Sequence, residues 1–340
     1  MDIKTFFNDR DQQVYESELK DWLPEKIFDA HVHLFEKSIF GKDHQFSEKC
    51  WHKKFNCAFT LEQYKEITDF LLPDQDMSLN CFGLPELDAD MEANSKYIGE
   101  IVDNKKVFGM AVISPKDDIK DVKRRIKDYH LVGYKPYRNF VDWKDYEDVT
   151  IFDMLSPEQM EFANENSLVI TLHIPKAKRL ADSSNQKEMV ELCRRYPKAK
   201  IVFAHIGRAY YMNGVVGFLD SISKCENAYI DTAMVNHPGV LEYAFNHFPR
   251  ERMVFGTDSP IAFFRGKSVE INNQYAYLMG EDYAIGTSLY DADHVIQFTT
   301  FYYEQLRGIK EAAMKAGLCR SEREDFFYNN MYNLVRDVQK

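Results

Sequence analysis

The chain has 340 residues, of which 45% are hydrophobic, 29% charged and 14% aromatic, and its formal net charge at pH 7 is −11. This composition is typical of a folded protein with a large apolar core. It excludes a disordered chain, a fibrous repeat and a small disulfide-bonded scaffold. Because an acidic chain without a basic run gains nothing from the attraction of phosphates, we do not expect nucleic acid as a partner.

Nothing in the sequence predicts a membrane segment. The longest stretch free of Asp, Glu, Lys and Arg covers eleven residues, 209–219, whereas a membrane-spanning helix needs about 20 apolar residues. The N-terminus becomes polar before the apolar part of a signal peptide could form. The six cysteines are scattered without a Cys-x-x-Cys pair, which is typical of reduced thiols in a chain of this size. We therefore predict a cytoplasmic protein.

Short apolar runs rich in Val, Ile and Phe alternate with amphipathic segments, a pattern typical of strands and helices around a parallel sheet. The predicted strands are 27–33, 79–84, 107–114, 132–137, 168–174, 201–206, 228–232 and 253–257. The predicted helices between them are 61–72, 89–103, 119–129, 157–166, 185–196 and 239–247. Eight such units fit a closed barrel better than an open sheet. We predict an α/β fold, a (β/α)8 TIM barrel, as a single domain over residues 1–340.

The two ends of the chain and two long loops fall outside the eight units. Residues 1–26 contain a predicted N-terminal helix, 11–22, packed outside the barrel. Long loops, 34–60 and 261–288, follow the first and eighth strands, and extra C-terminal helices are predicted around 291–316 and 321–338. Because both long loops follow strands, they belong to the rim on which such a barrel builds its active site.

Histidine and aspartate residues recur where the predicted strands end. His31 and His33 alternate at the end of the first strand, so both side chains point to the same side. His173 ends the fifth strand, His205 the sixth and Asp258 the eighth. Since all strand C-termini gather on one face of a barrel, we expect these residues to converge. Imidazole nitrogen and carboxylate oxygen suit Zn²⁺, with Mn²⁺ and Fe²⁺ as alternatives.

The motifs DAHVH, LHI, FAHIG and FGTDSP resemble the amidohydrolase superfamily, and more closely its amidohydrolase-2 branch. That branch contains aminocarboxymuconate-semialdehyde decarboxylase, related aromatic-acid decarboxylases and lactone hydrolases. The resemblance runs from His31 to the final YNNM. It implies one divalent ion, Zn²⁺ or alternatively Mn²⁺, with four protein ligands: His31, His33, His173 and Asp258. It also implies that His205 acts as acid or base beside a water, and that the protein forms a homodimer.

Three basic residues lie near the same predicted face. Superfamily members with two metal ions use a carbamylated lysine at the position of Lys135, so a second ion is the alternative to a single one. We expect one ion and a Lys135 ammonium that faces a substrate carboxylate, and a lysine extending from the rim is the alternative. Arg138 and Arg208 predict a small anionic organic substrate, because Arg binds carboxylate bidentately. Each arginine could equally form a surface salt bridge.

Two reactions fit this set of residues. In a metal-dependent hydrolase, water attacks a lactone, amide or ester carbonyl while His205 and Asp258 move protons. In a non-oxidative decarboxylase, a carbon–carbon lyase, an acid delivers a proton to the carbon that loses CO₂. The sequence LFEK after His33 differs from the stretch often found there in the decarboxylases, so the hydrolase is the favoured prediction. A barrel that binds a ligand without turnover is disfavoured because every metal position is filled.

Overall fold

Eight parallel strands form one sheet in sequence order in the computed structural model, which describes residues 6–339. The strands are β1 (Lys26–His33), β2 (Asp76–Phe82), β3 (Val107–Ile113), β4 (Gly133–Pro136), β5 (Val169–Leu172), β6 (Lys200–Phe203), β7 (Ala228–Asp231) and β8 (Met253–Val254). Each overlaps one predicted strand. Apolar runs identify them well because strands such as β3 are buried at every position.

Backbone hydrogen bonds between β1 and the residues that follow β8 close the sheet. The amide of Asp258 donates to the carbonyl of His31 at 2.8 Å, and the amide of His33 donates to the carbonyl of Ser259 at 2.7 Å. The predicted (β/α)8 TIM barrel is therefore confirmed. The single domain over residues 1–340 stays a prediction, and residues 1–5 and 340 lie outside the described residues.

Helices cover the outside of the barrel, and each predicted helix between strands overlaps an observed one. They are α2 (Leu61–Leu71), α3 (Met91–Ile101), α4 (Ile119–Asp128), α5 (Pro157–Glu165), α6 (Ser183–Arg195) and α7 (Pro238–His247), with α1 (Asp9–Val14) preceding β1. Between β6 and β7 the chain instead makes a left-handed turn over residues 205–208 and two short 3₁₀ turns. Over residues 6–339, no helix combines the length and apolar character needed to cross a membrane.

The N-terminal helix begins and ends earlier than predicted. The prediction was 11–22, whereas α1 covers Asp9–Val14 and continues as a wider π-helical turn over Tyr15–Leu19. Asn8 fixes the start, because its side chain accepts hydrogen bonds from the amides of Arg10 and Asp11. The Asp11 carboxylate in turn accepts from the Asn8 amide, which completes a capping box.

The second long loop contains a small sheet that was not predicted. Strands β9 (Gly266–Ile271), β10 (Gln274–Met279) and β11 (Ser288–Tyr290) pair within this region. The C-terminal helices are α8 (Phe301–Lys315), α9 (Arg320–Glu324) and α10 (Asn330–Arg336). The first begins ten residues later than predicted, because the Thr300 side chain caps it by accepting from the Tyr303 amide.

The last helix fills the barrel at the end opposite to the predicted site. Met331, Leu334 and Val335 from α10 join the apolar cluster inside the barrel. The Lys200 ammonium, at the start of β6, donates to the carbonyl of Leu334 at 3.1 Å. The barrel is thus a packed core closed at its N-terminal end, and its C-terminal end carries the polar residues.

Candidate metal centre

Side chains from the first and last strands converge at the C-terminal end of the barrel. The Nε2 atoms of His31 and His33 lie 3.3 and 3.4 Å from Oδ1 of Asp258. One ligand atom from each of the three residues lies within 4.8 Å of the other two. His31 is fully buried, whereas the Asp258 side chain keeps 20% of its surface exposed. The group therefore has one side open to a ligand, at Asp258.

Hydrogen bonds fix which ring nitrogen of each histidine carries the proton. His31 Nδ1 lies 2.9 Å from a carboxylate oxygen of Asp231, and His33 Nδ1 lies 3.0 Å from the carbonyl of Gly83. Both oxygens only accept, so each Nδ1 donates and each Nε2 keeps a lone pair. This is the arrangement that a metal-binding imidazole requires.

The carboxylate of Asp231, at the end of β7, was missed by the sequence analysis. It is fully buried, and its second oxygen accepts from the amides of His205 at 2.7 Å and Ala233 at 3.1 Å. Burial alone would raise its pKa, but the neighbouring His31 and the His205 imidazole and amide outweigh burial and lower the pKa to about 2. The available signal was its position, because Asp231 ends its strand as the other candidate ligands end theirs.

His205 follows β6 in a strained backbone conformation. His205 and Ile206 have φ values of 57° and 53°, a left-handed conformation that costs roughly 1–2 kcal/mol for each residue with a Cβ. Its Nδ1 lies 2.9 Å from the carbonyl of Ala233, so Nδ1 donates and Nε2 is a free acceptor. The His205 ring centroid lies 4.9 Å from that of His31. Strain that the surroundings hold in place is a common feature of functional sites.

Lys135 points into the centre and is fully buried. Its Nζ lies 2.7 Å from Nε2 of His31 and 4.2 Å from the ring centroid of Phe82. Burial lowers the pKa of this ammonium to about 7, against the opposing effect of Asp258 and Asp231. A neighbouring hydroxyl, that of Tyr137, lies 3.3 Å from Nε2 of His33.

His173 lies beside the three-residue group. Its ring centroid is 5.4 Å from that of His205 and 5.7 Å from that of Tyr137. Burial, followed by the charge of Arg208, lowers the pKa of His173 well below its ordinary value. The structure thus brings His31, His33 and Asp258 together and places His173 next to them, so its role as a fourth ligand stays a prediction.

The two predicted substrate-binding arginines lie on the rim without a carboxylate partner. Arg138 stacks its guanidinium on the ring of Tyr146. Arg208 donates from Nη1 to the carbonyl of Ile174 at 3.0 Å. Within residues 6–339, neither arginine forms an ion pair with an acidic side chain, so the alternative of a surface salt bridge does not hold there.

The chain is similar to one known protein family and to several solved structures. The family model described as Amidohydrolase matches residues 28–276. Among solved structures, 4-oxalomesaconate hydratase from Rhodopseudomonas palustris is 17% identical with a TM-score of 0.55, covering 91% of this chain and 95% of that one. A dihydroxybenzoic acid decarboxylase from Polaromonas, with bound manganese and an inhibitor, is 14% identical with a TM-score of 0.54, covering 92% and 97%.

A 2,6-dihydroxybenzoate decarboxylase from Rhizobium is 12% identical with a TM-score of 0.51, covering 92% of this chain and 99% of that one. At these identities the three structures share the fold with this chain. No curated protein matches the sequence.

Proposed function

The chain belongs to the amidohydrolase family, whose members are metal-dependent enzymes, and we propose that it is a metal-dependent hydrolase of small carboxylate-bearing lactones, amides or esters. The observation that carries the proposal is the convergence of donor atoms from His31, His33 and Asp258. Two of these donor atoms are histidine Nε2 nitrogens with a free lone pair, and the third is a carboxylate oxygen.

The donor set suits one divalent ion. Two imidazole nitrogens and a carboxylate oxygen fit Zn²⁺, with Mn²⁺ as the alternative. We assign His31, His33 and Asp258 as ligands and keep His173 as the fourth candidate. Bound there, the ion would supply Lewis acidity, which lowers the pKa of a water and polarises a carbonyl.

The residues around the ligands would handle the protons and the substrate. His205 Nε2 accepts a proton as the water oxygen bonds to the carbonyl carbon. The same proton then passes to the leaving oxygen or nitrogen as its bond to that carbon breaks. Lys135, Arg138 and Arg208 bind the carboxylate groups of the substrate and orient the reacting carbonyl.

A decarboxylase is the second candidate, favoured by two proton donors at the centre. The Lys135 ammonium and the Tyr137 hydroxyl lie 2.7 and 3.3 Å from the histidine Nε2 atoms. In that reaction the bond to the carboxylate breaks, its electron pair stays on carbon, and one of these donors protonates that carbon. The hydrolase stays first because His205 Nε2 and Asp258 are proton acceptors, which an attacking water requires.

Elemental analysis of the purified protein tests the metal site. After growth with added zinc and manganese, we expect about one ion per chain, lost in Asp258→Ala because the site loses one of its few bonds. His247→Ala, which changes an exposed histidine, is the matched control and should keep its metal. A metal-free wild-type protein would contradict the proposal.

Product analysis tests the reaction itself. A panel of lactones, esters and amides is incubated in H₂¹⁸O, and carboxylated aromatics are assayed for CO₂. Incorporation of ¹⁸O into product supports the hydrolase, whereas CO₂ release without it supports the decarboxylase. On a hydrolysed substrate, His205→Ala should lower kcat by roughly 10²–10⁴-fold, because a positioned base contributes about that much, while its metal content is unchanged.

A further inference from the structure

The segment between β5 and α6 carries a third arginine at the barrel mouth. The guanidinium carbon of Arg179 lies 4.4 Å from the ring centroid of Tyr275, and its Nη2 donates to the Tyr275 hydroxyl at 3.1 Å. It also lies 5.5 Å from the ring centroid of Tyr210. That ring lies 6.0 Å from the His205 ring. One aromatic side chain therefore separates Arg179 from the candidate centre.

The arginines at this mouth have donor atoms without protein acceptors. The Nε atoms of Arg179 and Arg208 are both buried, and within residues 6–339 neither has a hydrogen-bond partner. Burying a guanidinium N–H without an acceptor costs free energy. Asp and Glu outnumber Lys and Arg by 54 to 43, so partners of opposite charge are abundant in the chain. Unpaired arginines in such a protein indicate an anion that comes from outside it.

The position of Arg179 is fixed by the protein itself. Its φ of 55° is left-handed, and its carbonyl accepts from Nδ2 of the fully buried Asn185 at 2.9 Å. The same amide group donates to the carbonyl of Pro175 at 2.7 Å. The bond from Arg208 to the Ile174 carbonyl holds the start of the segment. A guanidinium that is held in place before binding loses little entropy when a ligand arrives.

We propose that Arg179, Arg208 and the Tyr275 hydroxyl bind a carboxylate of the substrate that is remote from the reacting carbonyl. This inference rests on the proposed function and deepens it, since it makes the substrate a dicarboxylate. Lys135 contacts His31 at the centre, whereas the Tyr210 ring lies between Arg179 and His205. We therefore assign Lys135 to the reacting end of the substrate and not to that carboxylate. The small sheet inserted after β8 then helps to set specificity, since it supplies Tyr275.

Binding of matched aliphatic acids tests the subsite. The probes are succinate, glutarate and adipate, each compared by calorimetry with the monocarboxylate of equal carbon number: butyrate, valerate and hexanoate. We expect at least one dicarboxylate to bind about tenfold or more tightly than its partner, because charge-assisted bidentate bonds are among the strongest available. No preference for any dicarboxylate would overturn the proposal.

Substitutions identify the residues that cause the preference for dicarboxylates over monocarboxylates. Arg179→Gln should abolish it, Arg179→Lys should restore part of it, and Tyr275→Phe should reduce it while keeping the ring. Arg194→Gln, which changes an exposed arginine of α6, should leave it intact. A preference that survives Arg179→Gln would overturn the proposal, as would inorganic phosphate that binds more tightly than every dicarboxylate.

The metal content of the same samples separates this inference from the proposed function. A metal-free protein that keeps the Arg179-dependent preference would refute the metal site and support the subsite. A metal-loaded protein without that preference would refute the subsite alone.

Discussion

The carboxylate of Asp231 joins the candidate metal ligand His31 to the candidate base His205. One oxygen accepts from His31 Nδ1 at 2.9 Å, and the other accepts from the His205 amide at 2.7 Å. The carboxylate thus fixes the tautomer of one imidazole and the backbone position of the other. Asp231 is not assigned as a ligand, but through its bond to His31 it should still control metal binding.

Asp231→Asn should weaken metal binding by about 10–100-fold, the usual cost of losing a partner that orients a ligand. In this variant the amide oxygen of Asn accepts from the backbone N–H groups, so its NH₂ group faces His31 Nδ1. Nδ1 must then accept, and the imidazole proton moves to Nε2, the atom that the metal needs. Competition with a coloured chelator measures the affinity. Asp220→Asn, an exposed change, is the control, and equal affinities in the two folded variants would refute the role of Asp231.

Lys135→Met should keep one ion per chain and bind it about tenfold more tightly. The Lys135 ammonium contacts the His31 Nε2 lone pair that the ion needs, and it repels a cation at this distance. The same variant should lose activity, since the substrate loses a charged partner. Metal titration gives the affinity, and elemental analysis gives the number of ions per chain. A fall from two ions to one would show instead that Lys135 bridges two metals as a carbamate.

The stability of the fold should decrease between pH 7 and pH 5 through His52. This residue is buried, and burial, followed by the charge of His44, lowers its pKa to about 4, with Asp88 opposing and His33 adding a small effect. The unfolded chain takes up a proton below its pKa of about 6.5, whereas the folded protein does so only near pH 4. The unfolding free energy therefore falls across this window, by about 2 kcal/mol between pH 7 and pH 5.

Urea unfolding at the two pH values checks this prediction. His52→Gln cannot titrate, so it should lose about 2 kcal/mol less than the wild type over the same interval. His247→Gln, at an exposed position, should keep the wild-type dependence. If the unfolding free energy of the wild type and of His52→Gln fell by the same amount between pH 7 and pH 5, the assignment of this dependence to His52 would be wrong. The other groups that face His52, Cys50 and Glu86, remain in all three proteins.

Gly133→Ala should destabilise the barrel by about 3 kcal/mol, at the upper end of typical overpacking costs. A Cβ at Gly133 would overlap the carbonyl oxygen of Val169, its partner across β4 and β5. Backbone atoms of two paired strands cannot move apart without loss of their hydrogen bonds. Gly41→Ala is the control, because a Cβ there meets nothing within 4 Å. Chemical denaturation of both variants gives the comparison, and equal stabilities would contradict the expected clash.

The barrel was predictable from the sequence because its strands are apolar runs between amphipathic helices. The small sheet was not, since β9 alternates irregularly between buried and exposed positions and β11 is largely exposed. Helix starts depended on capping contacts that several nearby residues could have made. Ser321 and Glu324 have the spacing of a capping box, but the structure places the box at Cys319 and Glu322.

The candidate centre was predictable where a histidine or aspartate ends a strand in a recognisable motif, as with His31 and Asp258. Asp231 was not predicted because a single carboxylate at the end of an apolar run has no motif of its own. Arg179 was not predicted for a different reason. Its contact with Tyr275 joins residues 96 positions apart, and one of them lies in the sheet that the sequence did not reveal.

Closure of the barrel between β1 and β8 has a consequence for synthesis on the ribosome. Asp29 and Thr257, which are hydrogen-bonded across this closure, lie 228 positions apart. Until the second of them emerges, β1 has an unpaired edge, and His31 and His33 have no Asp258 beside them. A nascent chain therefore cannot assemble the three-donor group before Asp258 has been made, more than 220 residues after His33. Metal capture at this site would thus mark the completed barrel.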